Sequence, residues 1–153
     1  MQAELRIVRA DTQRLEEALH LFEGYLGFYG REPAPGAARR FIGERLERCD
    51  SVILLAEVDG RAVGFAQLYP AFASLSLAPS WILNDLFVEP SARGAGVGEA
   101  LMRAVRTHAQ ATGAAEVFLQ TARDNEVAQA LYRRHGYQRD DDFLVYTLGL
   151  PKA

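Results

Sequence analysis

The sequence predicts an α/β domain built around a mixed central sheet, and two observations lead to this fold class. Two apolar, β-branched runs flank Asp59-Gly60, a two-residue turn of the kind that joins antiparallel strands. A strand, a helix and another strand then follow one another over residues 81–121, which is typical of a parallel crossover. A sheet that contains both kinds of pairing is mixed.

The individual elements follow from hydrophobic periodicity and from turn residues. Alternating or continuous apolar runs predict strands at residues 5–9, 52–58, 61–69, 81–88, 116–121, 137–139 and 143–148. Apolar residues at helical spacing predict four helices, two before residue 50 and one on each side of the strand at 116–121. Residues 70–79 are predicted to be a loop. The predicted order is β-α-α-β-β-β-α-β-α-β-β.

Length and composition indicate one domain, which we place at residues 3–150 of the 153. The formal net charge of -3 argues against binding to nucleic acid or to an anionic membrane, since both usually require a basic surface. The chain has one cysteine and no Cys/His cluster, so neither an internal disulfide nor a metal site is expected. The chain also lacks an apolar run of membrane-spanning length, and we predict a cytoplasmic protein.

The segment Arg93-Gly94-Ala95-Gly96-Val97-Gly98 lies between a predicted strand and a predicted helix. Glycines let several backbone N–H groups converge at the start of a helix, where the helix dipole favours a phosphate group. A Walker loop is excluded because Gly98 is followed by Glu99-Ala100, and the dinucleotide fingerprint fails at Glu99. An ordinary glycine-rich turn remains the alternative.

Arg93-x-x-Gly96-x-Gly98 resembles the acetyl-CoA loop of the GNAT N-acetyltransferase superfamily, and the element order resembles the GNAT fold from residue 3 to residue 150. The pattern is nearest to small bacterial GNAT proteins and to the spermidine/spermine acetyltransferase-like group. The resemblance implies acetyl-CoA as cosubstrate, bound by the loop and by the main chain of the strand before it. The cofactor-binding residues that it implies are Leu86, Phe87, Val88, Arg93, Gly94, Ala95, Gly96, Val97, Gly98, Glu99, Asn125 and Ala128.

A second run, Asn125-x-x-Ala128-x-x-Leu131-Tyr132 followed by Gly136-Tyr137, resembles the GNAT segment that carries a catalytic tyrosine. In that role Tyr132 gives a proton to the CoA thiolate when an amine attacks the thioester. Tyr132 could instead be a core residue whose hydroxyl bonds to a carbonyl. Asn125 is equally suited to capping a helix.

Asn84 and Asp85 are a polar pair within an apolar strand, and consecutive strand residues point to opposite faces. Polyamine-acetylating relatives carry Glu at the position of Asn84, so this departure weakens a polyamine assignment but leaves Asn84 an orienting role. We expect Asp85 to have a structural role. Phe28 and Tyr29 are further candidates for the acceptor pocket.

These observations predict an N-acetyltransferase that moves an acetyl group to a primary amine by direct attack in a ternary complex. Cys49 has no evident partner, which argues against a covalent enzyme intermediate. The partners are a small-molecule or peptide amine, and a homodimer is left open. A non-catalytic acyl-CoA-binding regulatory module of the same fold is the main alternative. A domain that binds ATP or NAD is disfavoured by the missing motifs.

Overall fold

The computed structural model describes residues 3–152 and has a five-stranded sheet in the order β1-β2-β3-β4-β5. Neighbouring strands pair in antiparallel fashion from β1 to β4, whereas β4 and β5 are parallel. The predicted mixed sheet is therefore confirmed. The strands are β1 (Leu5–Arg9), β2 (Val52–Val58), β3 (Arg61–Ala73), β4 (Ala78–Val88) and β5 (Val117–Phe118).

Four helices connect these strands: α1 (Leu15–Phe28), α2 (Ala37–Arg48), α3 (Val97–Ala111) and α4 (Glu126–Arg134). The carboxylate of Asp11 accepts a hydrogen bond from the Gln13 amide (2.9 Å) and starts the short 3-10 turn that leads into α1. The side chain of Asn125 caps α4 by accepting from the Ala128 amide at 3.2 Å. The 3-10 turn before α1 and helix α4 therefore begin where a polar side chain satisfies a free N–H group, whereas α2 and α3 begin at Gly36 and Gly96, which have no capping side chain.

The core lies on both faces of the sheet. Ile53 and Leu55 of β2 face the layer formed by α1 and α2, whereas Leu54 and Ala56 face α3. Because β2 is covered on both faces, nearly all of its residues are buried, which explains why its sequence is a continuous apolar run. The sheet thus separates the α1/α2 side of the molecule from the α3/α4 side.

The loop predicted at residues 70–79 is wrong, because both strands of the β3–β4 hairpin continue into it. Pro70 pairs with Trp81, and only residues 74–76 form a 3-10 turn. Pro70 is tolerated because β2 ends opposite Leu68, so that β3 is an edge strand from there on and needs no N–H on that side.

The last three predicted strands also need correction. Of residues 116–121 only Val117–Phe118 form a strand, because the parallel pairing with β4 ends at Phe118. Residues 137–139 and 143–148 form no strand within residues 3–152. Their alternating apolar pattern is that of a strand, but no neighbouring strand supplies hydrogen bonds, and residues 143–148 are exposed.

In the part of the chain that the structure describes, no helix is both long and apolar enough to cross a membrane. Residues 3–152 likewise contain no group of three His, Cys, Asp or Glu side chains that could hold a metal ion.

Candidate active site

A cleft opens where β4 and β5 diverge. The two strands pair only at Trp81–Val117 and Ile82–Phe118, so from Leu83 onward β4 pairs with β3 alone. The cleft has a volume of about 560 Å³ and is closed on its third side by α1. Its lining residues are Tyr25, Tyr29, Ile82, Leu83, Asn84, Phe118, Gln120, Thr121 and Ala122. The predicted binding edge at residues 86–88 continues the β4 wall of this cleft.

The glycine loop follows directly on β4 and ends at α3. Gly94 and Gly96 both have a φ of +81°, a left-handed conformation that residues with a side chain rarely adopt. A Cβ atom built on either glycine would meet no atom within 4 Å, so the space in front of the loop is open. Gly96 is the N-cap of α3 and has no side chain to satisfy the first N–H groups of the helix. The loop therefore offers free donors to an anion.

Arg93 turns back from the loop onto β4. Its Nε donates to the Val88 carbonyl at 2.9 Å, and its guanidinium carbon lies 5.8 Å from the centre of the Phe87 ring. It lies 5.9 Å from the centre of the Phe28 ring. Phe28 does not line the cleft; it packs beside the loop instead. Arg93 therefore joins the end of β4 to the first part of the loop.

Glu99 joins the beginning of α3 to the end of α4. Its carboxylate accepts from Arg134 at 2.7 and 3.0 Å and also contacts the His135 ring. Both partners lower the pKa of Glu99, which keeps the carboxylate ionised. The ion pairs hold this negative charge on the α4 side of the loop, so only the backbone of Glu99 is left for an anionic ligand.

Tyr132 lies on the α4 face that packs against α3 and the sheet. Burial raises its pKa to about 12, and Tyr29 and Tyr137 add to this shift. Tyr29 lines the cleft, whereas Tyr132 is not among its lining residues. The Tyr132 hydroxyl has no hydrogen-bond partner within residues 3–152, and it is not among the fully enclosed polar atoms. It is thus a protonated phenol with its donor free.

Asn84 and Asp85 differ in burial, as their alternation on β4 predicts: Asn84 is exposed in the cleft, whereas Asp85 is only 2% exposed. A β-bulge lies here, because Gln67 pairs with Asp85 and Leu68 pairs with Leu83, which leaves Asn84 as the extra residue. The bulge turns Asn84 towards the cleft at the point where β5 diverges.

A chain of hydrogen bonds runs behind Asn84. The Ser51 hydroxyl donates to Gln67 Oε1 (2.9 Å), Gln67 Nε2 donates to Asp85 Oδ2 (2.5 Å), and Asn84 Nδ2 donates to Asp85 Oδ1 (2.7 Å). Burial raises the pKa of the Asp85 carboxyl, and the bonds from Asn84 and Gln67 oppose that shift. Because Asn84 Nδ2 is engaged with Asp85, its Oδ1 is directed elsewhere and accepts no bond within residues 3–152.

Sequence reasoning missed Ser51, Gln67 and Tyr25. Gln67 is fully buried between two strands, and only the pairing of β3 with β4 brings it to Asp85. Tyr25 lines the cleft, and its hydroxyl donates to the Asn84 carbonyl at 3.4 Å. The signal for Tyr25 was its spacing of four residues from Tyr29, which places both rings on one face of α1.

A second cleft, of about 580 Å³, lies on the other side of the β4 terminus and includes His20, Arg61 and Glu89. Glu89 accepts from Arg61 at 2.7 Å and contacts the His20 ring at 3.1 Å. Because Glu89, Arg61 and His20 pair with one another, and because Asn84 lines the other cleft, we place the candidate active site in the cleft between β4 and β5.

The partly buried tyrosines should make the fold sensitive to alkaline pH. Burial raises the pKa of Tyr69 and of Tyr132 to about 12, while an unfolded tyrosine loses its proton near pH 10 as a rough reference. Unfolding then releases protons, so the free energy of unfolding falls as the pH rises above about 10. We expect the Tm to decrease from there on, and to decrease less steeply in Tyr69→Phe. A Tm that stays level between pH 9 and 11 would contradict this.

Comparisons with known proteins identify the family to which the chain belongs. A sequence profile described as "Acetyltransferase (GNAT) family" matches residues 14–137. The uncharacterized N-acetyltransferase YhfO of Bacillus subtilis (strain 168) is 41% identical over 147 residues, which are 96% of this chain and 99% of YhfO.

Solved structures show the same fold. A crystal structure of a probable acetyltransferase has a TM-score of 0.90 at 41% identity, covering 97% of this chain and 99% of that one. The aminoglycoside N-acetyltransferase AAC(6')-Iy in complex with CoA has a TM-score of 0.80 at 22% identity, with 97% of each chain covered. On the profile match and the 41% identity over nearly its whole length, the chain belongs to the GNAT family of acetyltransferases.

Proposed function

We propose that the protein transfers the acetyl group of acetyl-CoA to a primary amine by direct attack in a ternary complex. The observation that carries this proposal is the unpaired edge of β4, which forms one wall of the cleft and leads directly to the donor-rich loop. The free phenol of Tyr132 on α4 supports it. The name of YhfO supports transfer to nitrogen, and the bound CoA in the AAC(6')-Iy structure supports the identity of the donor.

The open space at Gly94 and Gly96 fits a diphosphate, because it adjoins free N–H groups and no side chain fills it. From the loop, an extended thiol arm would run along residues 86–88 and use main-chain groups that β5 leaves unpaired. This assignment brings the acetyl thioester to the part of the cleft where Asn84 faces Tyr29. Asn125 and Ala128 already bond to each other, so their role towards CoA remains a prediction.

On the acceptor side, Asn84 Oδ1 is the group that orients the amine. Its amide nitrogen is engaged with Asp85, so the oxygen is the end that remains to accept an N–H bond from the substrate. The Asp85 carboxylate behind it attracts a cationic ammonium group to this end of the cleft. Tyr25 and Tyr29 supply an aromatic wall for the rest of the acceptor.

The chemical step joins the amine nitrogen to the acetyl carbon and breaks the carbon–sulfur bond. The nitrogen releases one proton to water, the sulfur gains one from Tyr132, and the Tyr132 phenolate is then reprotonated from water. Tyr132 donates a hydrogen bond to the departing sulfur and delivers its proton as the negative charge develops there. The phenol is a weaker acid than a thiol, whose reference pKa is about 8.5, so the deprotonation of the attacking nitrogen must drive the transfer.

We expect CoA and acetyl-CoA to stabilise the fold against heat, because the loop and the strand edge form a site only in the folded state. A hundredfold excess of ligand over its Kd should add about 2.7 kcal/mol to the free energy of unfolding. Differential scanning fluorimetry measures the shift, with ATP and NAD as controls that should give little. The absence of any shift with CoA in a folded sample would refute the proposed donor site.

The transfer itself is tested by detecting free thiol while acetyl-CoA is incubated with a panel of polyamines, amino acids, aminoglycosides and peptides with free amino termini. At least one amine should release thiol, and its alcohol analogue should not. A protein that binds CoA but releases no thiol with any of these amines would instead support the regulatory-module alternative.

A further inference from the structure

Ser51 and Gln67 are buried polar residues to which the proposed mechanism gives no task. Ser51 directly precedes β2 and is 7% exposed, and Gln67 lies in β3 and is fully buried. A buried side-chain amide destabilises a fold unless its nitrogen and its oxygen are both bonded. Both ends of Gln67 are bonded, the nitrogen to Asp85 and the oxygen to Ser51. The pair therefore continues the polar contacts of the cleft into the core.

The direction of the hydrogen bonds along this chain follows from the charge of Asp85. An ionised carboxylate accepts hydrogen bonds and donates none. Asp85 Oδ2 accepts from Gln67 Nε2 at 2.5 Å, and Asp85 Oδ1 accepts from Asn84 Nδ2 at 2.7 Å. Gln67 must therefore turn its Oε1 away from Asp85, and the Ser51 hydroxyl donates to that oxygen at 2.9 Å. All three hydrogen bonds run towards the carboxylate.

The Asp85 carboxylate has no cationic partner within residues 3–152, where none of the ion pairs includes it. Burial raises its pKa, and the groups that oppose this shift are the neutral donors Asn84, Gln67 and Tyr25. A buried carboxylate without a cation depends on such donors to stay ionised. Gln67 is the most deeply buried of the three, so water cannot replace the bond that it gives.

We infer that Gln67 is a positioning residue for the acceptor amine and that Ser51 supports it. Gln67 fixes the Asp85 carboxylate, Asp85 engages the nitrogen of Asn84, and the oxygen of Asn84 is left as the acceptor in the cleft. The chain thereby selects a substrate that offers a hydrogen-bond donor at this point, as an amine does. The inference rests on the proposed transfer to an amine, because it explains how Asn84 keeps one orientation.

Gln67→Leu replaces the amide by an apolar side chain of similar size and removes the bond to Asp85. The carboxylate and Asn84 are then free to turn, and an Asn84 amide turned by 180° directs Nδ2, a donor, at the substrate N–H. We expect the KM for the amine to rise at least about tenfold, the order of one hydrogen bond to a charged group. The kcat should fall less, and the Kd of CoA should stay unchanged. An unchanged KM would contradict the inference.

A double-mutant cycle with Asn84→Ala separates positioning from packing. If Gln67 acts on the amine only through Asn84, Gln67→Leu raises KM in the wild-type background but has little further effect when residue 84 is already alanine. If Gln67→Leu merely loosens the core, it raises KM by the same factor in both backgrounds. Equal factors would overturn the inference.

Ser51→Ala and Ser80→Ala form a matched pair. Both serines are 7% exposed, but only Ser51 is hydrogen-bonded to Gln67 within the described residues. Ser51→Ala leaves Gln67 Oε1 without its donor and should raise the KM for the amine by about twofold to tenfold, the range of a neutral hydrogen bond. Ser80→Ala should leave KM unchanged. The same KM in both variants would overturn the part assigned to Ser51.

The side-chain amides of the two asparagines test the chain without any turnover. Asn84 Nδ2 donates to Asp85, whereas Asn125 bonds through its oxygen and its nitrogen donates to no group within residues 3–152. In a ¹⁵N-labelled sample, the Asn84 amide protons should exchange with water more slowly than those of Asn125. Gln67→Leu should remove most of that difference.

The exchange rates distinguish failure of this inference from failure of the proposed function. Equal rates for Asn84 and Asn125 in the wild-type protein would overturn the inference, and so would a difference that survives intact in Gln67→Leu. If the rates behave as expected but no amine releases thiol from acetyl-CoA, the hydrogen-bonded chain stands and the proposed transfer to an amine fails.

Discussion

Replacing Tyr132 by phenylalanine is expected to lower kcat by about 10²- to 10⁴-fold, the range typical of positioned acid catalysis, while CoA affinity stays unchanged. The substitution keeps the ring that packs against α3 and removes a hydroxyl that makes no hydrogen bond within the described residues. Stability should therefore change little. Steady-state kinetics with an amine found in the thiol assay, together with CoA titration, measure both effects.

Tyr137→Phe is the matched control. Tyr137 is also partly buried with a raised pKa, and its ring lies 6.0 Å from that of Tyr132. If removing either phenol disturbed the site indirectly, both variants would have a reduced kcat. If Tyr132 delivers the proton, only Tyr132→Phe has a reduced kcat. Because the pKa of Tyr132 is about 12, its phenol should stay protonated up to about pH 10. Below that pH, kcat should therefore not fall through deprotonation of Tyr132. Wild-type turnover in Tyr132→Phe would remove this residue from the mechanism.

Gly96→Val is expected to weaken CoA binding by more than about tenfold, or 1.4 kcal/mol. Two effects act together: the branched side chain occupies the open space in front of the loop, and a β-branched residue is strained at a φ of +81°. Calorimetric titration with CoA measures the affinity, and circular dichroism verifies that the variant is folded.

Gly36 provides a matched control for the strain. It is the N-cap of α2, its φ is +80°, and a Cβ there would also meet no atom within 4 Å. Gly36→Val therefore repeats the backbone cost at a helix start that lies outside the loop and does not line the cleft. We expect it to lose stability but to keep its CoA affinity. Equal affinities in the two variants and the wild type would identify the glycine loop as an ordinary turn.

The parts of the site that local sequence determines were predictable. The glycines at the start of α3 and the Asn125 cap depend on residues within one turn of the chain, and the structure has both. The hydrogen-bonded chain from Ser51 to Asp85 was not predictable, because it depends on the register between β3 and β4 and on a bulge at Asn84. Turn residues and periodicity contain no information about that register.

The last two predicted strands failed for a related reason. Their periodicity is typical of a strand, but a strand needs a hydrogen-bonding neighbour as well as a pattern. Residues 143–148 have none within the described chain. A pattern that depends on pairing between distant segments, or between molecules, cannot be assigned from one segment alone.

The ion pairs of Glu99 hold the donor half of the site together apart from most of the acceptor wall. This separation bears on how acceptor specificity could diverge. Glu99 ties α3 to α4, so the glycine loop and Tyr132 form one preassembled half of the site on one face of the sheet. Tyr25 lies on α1, on the opposite face of the sheet, and Tyr29 directly follows the end of that helix. The cleft-lining residues Tyr25 and Tyr29 can therefore change with little disturbance to the donor half, whereas Phe28 contacts Arg93 and belongs to both halves. Substitution at those cleft-lining positions is the route by which one acetyl-transfer scaffold would acquire a new amine.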